Sequence, residues 1–200
     1  MKIIGLCGGS GSGKGAVCSA FKRLDIPCID TDAVYRQLTG GDSPCLRALA
    51  DEFGREIISA DGSLDRKKLA SLVFFGDDAD NKRLKLNEIT HKFILDECRT
   101  RINAYAKEGK ALAVIDAPLL FESGFDRECD ILVCVVADRN IRISRIMSRD
   151  GISEQEASRR IDSQLDDKVL ISKCHYVIYN NSDISSLTSA VDKLAEDLLK

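Results

Sequence analysis

The sequence lacks three features that would place it in a special class: an excess of basic residues, a paired-cysteine motif and a long apolar run. Its 29 Lys and Arg residues against 32 Asp and Glu give a net charge of −3. This balance excludes a general attraction to nucleic acid or to an anionic membrane, so any anion site must be local. No run approaches the ~18 apolar residues of a membrane span, and no secretion signal is present, so we expect neither membrane insertion nor export.

The eight cysteines show no clustered spacing. None belongs to a C-x-x-C pair, and several lie inside apolar runs such as 132–135. Disulfide and metal frameworks are typical of small secreted chains with clustered cysteines. We therefore expect reduced cysteines that act as small hydrophobic residues in a cytoplasmic protein.

Short apolar runs alternate with segments of helical period. The runs cover residues 2–7, 27–30, 111–116, 130–137 and 175–180. This order predicts an α/β fold in which five parallel strands form a sheet flanked by helices. Two stretches, 33–110 and 139–172, show only helical patterns and are interpreted as helical insertions. In the second, Asp150-Gly151 ends one helix and a Ser153-x-x-Glu156 capping box starts the next.

A glycine-rich sequence follows the first apolar run and opens a helix. Its glycines let backbone N–H groups surround phosphate oxygens, the helix N-terminus adds its dipole, and Lys14 reaches the β and γ phosphates. The motif predicts an ATP-binding P-loop at Gly8, Gly9, Gly11, Ser12, Gly13, Lys14, Gly15 and Ala16. Gly15 and Ala16 stand where the usual motif has a Ser or Thr hydroxyl for Mg²⁺.

Acidic residues end the second and third apolar runs. The carboxyl ends of parallel strands share one edge of a sheet, so Asp30, Asp32 and Asp116 should face the nucleotide. Asp32 could accept a proton from an acceptor hydroxyl, or could cap the helix that starts at Ala33. Asp116 could meet Mg²⁺ through water, or could belong to a structural turn at Pro118.

A basic helix is predicted after the fourth run. Arg139, Arg142, Arg145 and Arg149 follow at steps of three, three and four, which places them on one helical face. Such a face is either solvated or a phosphate clamp that closes over ATP, and its position after a strand favours the clamp. His91, in the first insertion, could contact an acceptor or fill a packing site.

Taken in order, these motifs resemble those of the dephospho-coenzyme A kinase family over nearly the whole chain. They are the P-loop at 4–14, Ile29-Asp30-Thr31-Asp32 with Arg36 and Gln37, 61–66, His91, 116–122, Arg145 with Arg149 and Asp150, Arg160 and Ile161 with Gln164, and Val177 and Ile178 with Asn180 and Asn181. The chain departs from the family pattern at Gly15-Ala16, where Ser or Thr is usual, and at Lys92, where Pro is usual.

The resemblance implies a three-part P-loop kinase. A nucleotide-binding core would comprise 1–32, 111–138 and 173–200, with a helical coenzyme-A-binding domain at 33–110 and a lid at 139–172. ATP, with Mg²⁺, would phosphorylate the ribose 3′-hydroxyl of dephospho-coenzyme A in the last step of coenzyme A synthesis.

The resemblance also implies roles for single residues. Asp32 matches the family's proposed base, and Arg36 matches a residue that contacts the acceptor. We expect His91 and Asp116 to contact the acceptor as well. Lys14, Arg145 and Arg149 are predicted to act on the phosphates, with Arg142 at the ATP site. We expect no direct protein ligand to Mg²⁺, only Asp32 and Asp116 through water. The alternatives are a kinase for another small alcohol or a nucleoside monophosphate, and a nucleotide-binding regulatory module without turnover.

Overall fold

A computed structural model describes residues 1–75 and 78–200. Its strands are β1 (Lys2–Cys7), β2 (Cys28–Asp30), β3 (Leu112–Asp116), β4 (Ile131–Val136) and β5 (Tyr176–Tyr179). The helices of the described residues are α1 (Lys14–Arg23), α2 (Thr31–Leu38), α3 (Pro44–Phe53), α4 (Arg66–Val73), α5 (Ala79–Lys107), α6 (Arg139–Asp150), α7 (Glu154–Asp162), α8 (Asp167–Lys173) and α9 (Ile184–Leu199). No helix in these ranges is both long and apolar enough to cross a membrane.

The strands form one sheet in the order β2-β3-β1-β4-β5. Strand β1 lies at the centre and pairs in parallel with β3 and β4, and β4 pairs in parallel with β5. Helices α1 and α9 pack on one face through Phe21, Leu187 and Val191, which meet Ile4 and Leu6 of β1. Because helices cover the sheet, its central strands are apolar throughout, and this signal identified all five strands from the sequence.

The chain divides into two compact units. The first comprises 1–29 and 104–200 and contains the sheet; the second comprises 30–103 and has its own apolar core around Leu46, Leu49 and Ile57. The described residues of the 33–110 stretch are helical apart from turns and an isolated bridge between Ile58 and Leu64. Residues 76 and 77 of that stretch lie outside the described residues.

The 139–172 stretch forms α6, α7 and α8 within the first unit. Gly151 ends α6 in the left-handed conformation, with φ +65°. The hydroxyl of Ser153 accepts the N–H of Glu156, whose carboxylate in turn accepts the N–H of Ser153 at 2.9 Å. Both ends were predicted from the sequence, and α6 itself follows β4.

Candidate active site

The P-loop joins β1 to α1, and its backbone conformation requires glycine. Gly13 precedes α1 at φ +100°, and a Cβ there would overlap the side-chain amide of Asn180. Gly8 has φ +146°, and a Cβ there would overlap the carbonyl oxygen of Val135. The close turn therefore depends on missing side chains at both positions, as the sequence motif predicts.

Side chains from the rest of the first unit hold the carbonyl oxygens of this loop. Arg142 Nε donates to Ser10 O at 2.9 Å, and Arg145 Nη1 donates to Gly11 O at 3.3 Å. The buried amide of Asn180 donates to Ser12 O at 2.7 Å, and Lys14 Nζ to Gly8 O at 3.0 Å. Because these donors occupy the carbonyls, the loop offers mainly N–H groups to a ligand, which suits an anion.

The residues around the loop fit a triphosphate with Mg²⁺. The Ser12 hydroxyl is buried and has no hydrogen-bond partner among the described residues. Lys14 Nζ lies 4.0 Å from the Asp116 carboxylate at the end of β3. The lysine suits the β and γ phosphates, and the carboxylate suits a hydrated metal ion bound to them. A Cβ added at Gly15 would meet nothing within 4 Å, so this position has room for a side chain.

The four arginines of α6 do not form one clamp. Arg142 is 4% exposed, and its Nη1 donates to both carboxylate oxygens of Asp167 at 3.0 Å. Arg139 instead pairs with Asp162 at 2.7 Å, and Arg149 pairs with the neighbouring Asp150 at 2.7 Å. Of the four, Arg142 and Arg145 reach the P-loop. Arg139 is rotated by about 60° from Arg142, whereas Arg149 points in nearly the same direction as Arg142 but lies about two turns further along the helix.

Asp150, the last residue of α6, pairs with two arginines. Hydrogen bonds from Arg149, with a second from Arg160, lower the pKa of Asp150 to about 2. The guanidinium of Arg149 is thereby engaged on the exposed surface of α6.

The second unit carries the other predicted site residues. The Asp30 carboxylate accepts the N–H of Ala33 at 3.0 Å and so caps α2. The interpretation of Asp32 as this cap is therefore wrong, because the helix begins at Thr31, two residues earlier than expected. Asp32 lies exposed in the first turn of α2, one helical turn before Arg36, which lies 3.7 Å from Asp30.

His91 lies half-buried on α5, in the second unit. Burial lowers the pKa of its imidazole, so the neutral form dominates at pH 7. A neutral imidazole can donate one hydrogen bond and accept another, and either of its two predicted roles stays a prediction.

Each unit contains a groove near a predicted motif. In the first unit, a groove of about 280 Å³ is lined by Gly8 and Gly9, by Pro118 and Glu122, and by Gln164 and Leu165. In the second unit, a groove of about 470 Å³ is lined by Thr39 and Gly40 and by the charged residues Asp65, Arg66 and Lys67. Two basic side chains against one acidic side chain give this second groove a net positive charge, which suits an anionic molecule.

Three residues that shape the P-loop received no role from the sequence. They are Asn180, which follows β5; Asp167, which binds Arg142; and Gln164, whose Oε1 accepts the N–H of Ser10 at 2.8 Å. Asn180 stands directly after a strand, so the rule that singled out Asp116 could also have found it. Gln164 and Asp167 lie in a helical stretch and give no such signal.

Comparison with known proteins identifies relatives along the whole chain. The family model described as dephospho-CoA kinase matches residues 2–186. A protein of Bacillus thuringiensis subsp. konkukian named dephospho-CoA kinase is 38% identical over 182 residues, which are 91% of this chain and 90% of that protein.

Two solved structures resemble the whole chain. A crystal structure from Thermus thermophilus has a TM-score of 0.80 and 26% identity, and the match covers 98% of this chain and 97% of that one. Shikimate kinase from Acinetobacter baumannii, in complex with shikimate, shares the fold alone, with a TM-score of 0.57, 15% identity and coverages of 100% and 93%. These matches confirm the predicted α/β kinase fold.

Proposed function

Since the chain belongs to the dephospho-CoA kinase family, we propose that it uses ATP to phosphorylate the ribose 3′-hydroxyl of dephospho-coenzyme A, yielding coenzyme A and ADP as the last step of coenzyme A synthesis. The single observation that carries the proposal is the family match over residues 2–186, which includes the complete P-loop. The acceptor is a small molecule. We also propose a cytoplasmic location, which this metabolic role supports.

The donor site is the P-loop. Backbone N–H groups from Gly8 to Gly13 and the N-terminus of α1 receive the β and γ phosphates of ATP, and Lys14 neutralises part of their charge. The Ser12 hydroxyl, buried and without a protein partner in the described ranges, donates to a phosphate oxygen. These contacts align the γ-phosphoryl group with the attacking oxygen, which accounts for most of the catalysis in such reactions.

Mg²⁺ would enter with ATP, because Gly15 supplies no hydroxyl ligand. When bound, the ion would neutralise charge that develops on the leaving oxygen. Asp116, whose carboxylate lies 4.0 Å from Lys14 Nζ, would hold the ion through water.

Asp32 is the proposed general base. Its carboxylate takes the proton from the 3′-hydroxyl as the oxygen bonds to the γ-phosphorus, and the bond from that phosphorus to the bridging oxygen of ADP breaks. Arg36, one turn further along α2, contacts the anionic acceptor, and Arg66 and Lys67 offer it a basic groove. His91, neutral at pH 7, contributes hydrogen bonds and no charge.

The lid arginines act at different distances from the phosphates. Arg145, which donates to the loop carbonyl of Gly11, neutralises charge on the transferred group. Arg142 acts as a positioning residue through Ser10 and Asp167. Arg149 would have to leave Asp150 to reach a phosphate, which makes it the least favoured of the three for a catalytic role.

A coupled assay of ADP release over several acceptors tests this function. The purified chain is given Mg·ATP with dephospho-coenzyme A, shikimate, nucleoside monophosphates or no acceptor, and only dephospho-coenzyme A should give turnover well above background. Turnover of a nucleoside monophosphate alone would assign a different kinase activity. ATP binding without turnover of any acceptor would favour the regulatory module suggested by Gly15.

A further inference from the structure

Three cysteines that are distant in the sequence meet beside β1 and β4 of the sheet. Cys7 ends β1, Cys134 is its register partner on β4, and Cys174 follows α8 and precedes β5. Their Sγ atoms all lie within 4.8 Å of one another, and those of Cys7 and Cys174 are 3.4 Å apart. Spacing rules for cysteine motifs could not find this cluster, because parallel pairing and not local sequence brings it together.

The cluster is closed on the protein side and open at one edge. Cys7 and Cys134 are buried, on the sheet face opposite the side chains that meet α1 and α9. Cys174 is half-buried and stands between Lys173 and His175 in the chain. A small solute therefore has access through Cys174, while the two buried sulfurs are fixed by the sheet.

The three sulfurs are near enough to one another to bind a single ion together. Cys7 Sγ and Cys174 Sγ are in hydrogen-bond contact at 3.4 Å, and no pair of the three Sγ atoms is more than 4.8 Å apart. A cation that replaced the thiol protons would gain three sulfur ligands at once.

We propose that Cys7, Cys134 and Cys174 form a binding site for one soft d¹⁰ cation, Zn²⁺ or Cu⁺, with the fourth position directed to solvent. Soft d¹⁰ ions prefer thiolate ligands, whereas Mg²⁺ prefers oxygen ligands. The cysteine site therefore does not compete with the nucleotide for Mg²⁺. Zinc–sulfur bonds of about 2.3 Å in a tetrahedral site place sulfurs about 3.8 Å apart. That value lies between the Cys7–Cys174 sulfur separation of 3.4 Å and the upper limit of 4.8 Å for all three pairs of sulfurs.

Binding requires only small movements and balances in protons. Each thiol passes its proton to solvent as its sulfur coordinates. The bound ion would then join the end of β1 and the middle of β4 to the residue that follows α8, next to the P-loop that begins at Gly8. Because the unfolded chain does not hold the three thiols together, binding should stabilise the folded chain.

The test uses the reduced, metal-free full-length protein and titrates it with Co²⁺ as a spectroscopic probe, then with Zn²⁺ in competition. We expect sulfur-to-cobalt charge-transfer absorption that saturates at one equivalent and disappears as Zn²⁺ replaces Co²⁺. Zn²⁺ should also raise the melting temperature of the wild type by several degrees. Cys174→Ser, at a half-buried position, should weaken Co²⁺ binding at least tenfold and abolish the thermal shift.

Cys45→Ala is the matched control, because Cys45 is buried in the core of the second unit and outside the cluster. It should bind Co²⁺ as the wild type does. Equal binding by wild type and Cys174→Ser, or no charge-transfer absorption in the wild type, would overturn the proposal. A protein mass lower by two hydrogens, without metal uptake, would also overturn the proposal, since it would identify a disulfide between two of the cysteines. Each readout is independent of kinase turnover.

Discussion

Asp32 and Asp30 lie close together in the chain, yet the structure gives them separable tasks. Asp30 caps α2, whereas Asp32 is exposed in its first turn. Asp32→Asn keeps the side-chain size but cannot take a proton, so kcat should fall on the order of 10²-fold or more. The melting temperature should stay within about two degrees of wild type, since only a helix-dipole contact is weakened. Steady-state kinetics and thermal unfolding of the same preparation check both expectations.

The reciprocal variant is Asp30→Ala, which removes the cap and should cost about 1 kcal/mol of folding free energy. If Asp32→Asn instead lowered the melting temperature and preserved kcat, Asp32 would be structural and the base would lie elsewhere.

Gly15 determines how the metal is held. Gly15→Ser adds a hydroxyl in open space, where a Cβ meets nothing within 4 Å, so the fold should tolerate it. We expect kcat at saturating Mg²⁺ to stay within about tenfold of wild type, while the Mg²⁺ concentration for half-maximal rate decreases, because one direct ligand replaces one water. Rates measured against Mg²⁺ at fixed ATP decide this.

Gly15→Ala is the control, because it adds the Cβ without a ligand and should leave the Mg²⁺ dependence unchanged. A wild type inert at every Mg²⁺ concentration but active as Gly15→Ser would contradict the proposed function.

At the scale of single residues, prediction succeeded where chemistry depends on local sequence. The P-loop glycines and Lys14 are consecutive, so the motif alone located them. The cysteine cluster and the contact between Arg142 and Asp167 depend on tertiary contacts between helices or strands. No local pattern encodes such contacts, which is why the sequence placed all four arginines on one face and did not pair Arg142 with Asp167.

Helix α6 contacts the P-loop through Arg145 and through Arg142, which is the buried one of the two. Arg142→Gln removes the charge that binds Asp167 and the donor to Ser10 O. We expect a loss of about 2 kcal/mol of folding free energy, moderated by the partial exposure of Asp167, and an increase in KM for ATP on the order of tenfold as the loop loses its support. Urea unfolding and ATP kinetics measure the two effects.

Arg139→Gln is the matched control on the same helix, since its pair with Asp162 is exposed and should contribute little. Equal effects of the two substitutions would contradict the positioning role of Arg142.

The start of α7 depends on a reciprocal pair of hydrogen bonds. Ser153→Ala removes the hydroxyl that accepts the Glu156 N–H and should cost about 1 kcal/mol. The change lies in the predicted lid, away from the P-loop in sequence, so kcat should stay close to wild type. Thermal unfolding with parallel turnover assays checks this.

At the scale of elements, the sequence predicted the strands almost to the residue. The apolar runs 2–7 and 111–116 became β1 and β3, with only the first residue of the second run left out. Burial on both faces produces this unambiguous signal. The start of α2 was missed because Thr31 is a weak helix former, and the Asp30 cap ahead of it was assigned to a ligand role.

At the scale of the whole molecule, acid should destabilise the fold through paired carboxylates. The pKa of Asp150 is about 2, and hydrogen bonds lower those of Asp162, Asp183 and Glu156. These carboxylates therefore bind protons more readily in the unfolded chain than in the folded chain. The stability from these groups is complete above about pH 4.5 and is lost as pH falls through 3.8 toward 2.

Urea midpoints at pH 7, 4.5 and 3 should show this decline, and high salt should weaken it. Asp150→Asn should lower the midpoint at pH 7 and reduce the difference between pH 4.5 and 3. An unchanged difference would show that Asp150 does not contribute to the acid response.

The division into units was only partly accessible from sequence. Helical patterns marked the 33–110 stretch, but the structure ends the second unit at residue 103, inside α5, where the chain continues as one helix to Lys107. A unit boundary inside a helix leaves no turn signal such as glycine or proline. The assignment of this stretch to acceptor binding and of 139–172 to a lid stays a prediction.

The central position of β1 has a consequence for biosynthesis. Strand β1 leaves the ribosome first, but its partner β3 begins about 110 residues later and β4 later still. The second unit is one continuous segment and can collapse early, whereas the sheet must wait for these long-range pairings, which are slow to form. Asn180, which holds the P-loop, emerges only after all five strands. A nascent chain arrested before that point should therefore lack a formed nucleotide site.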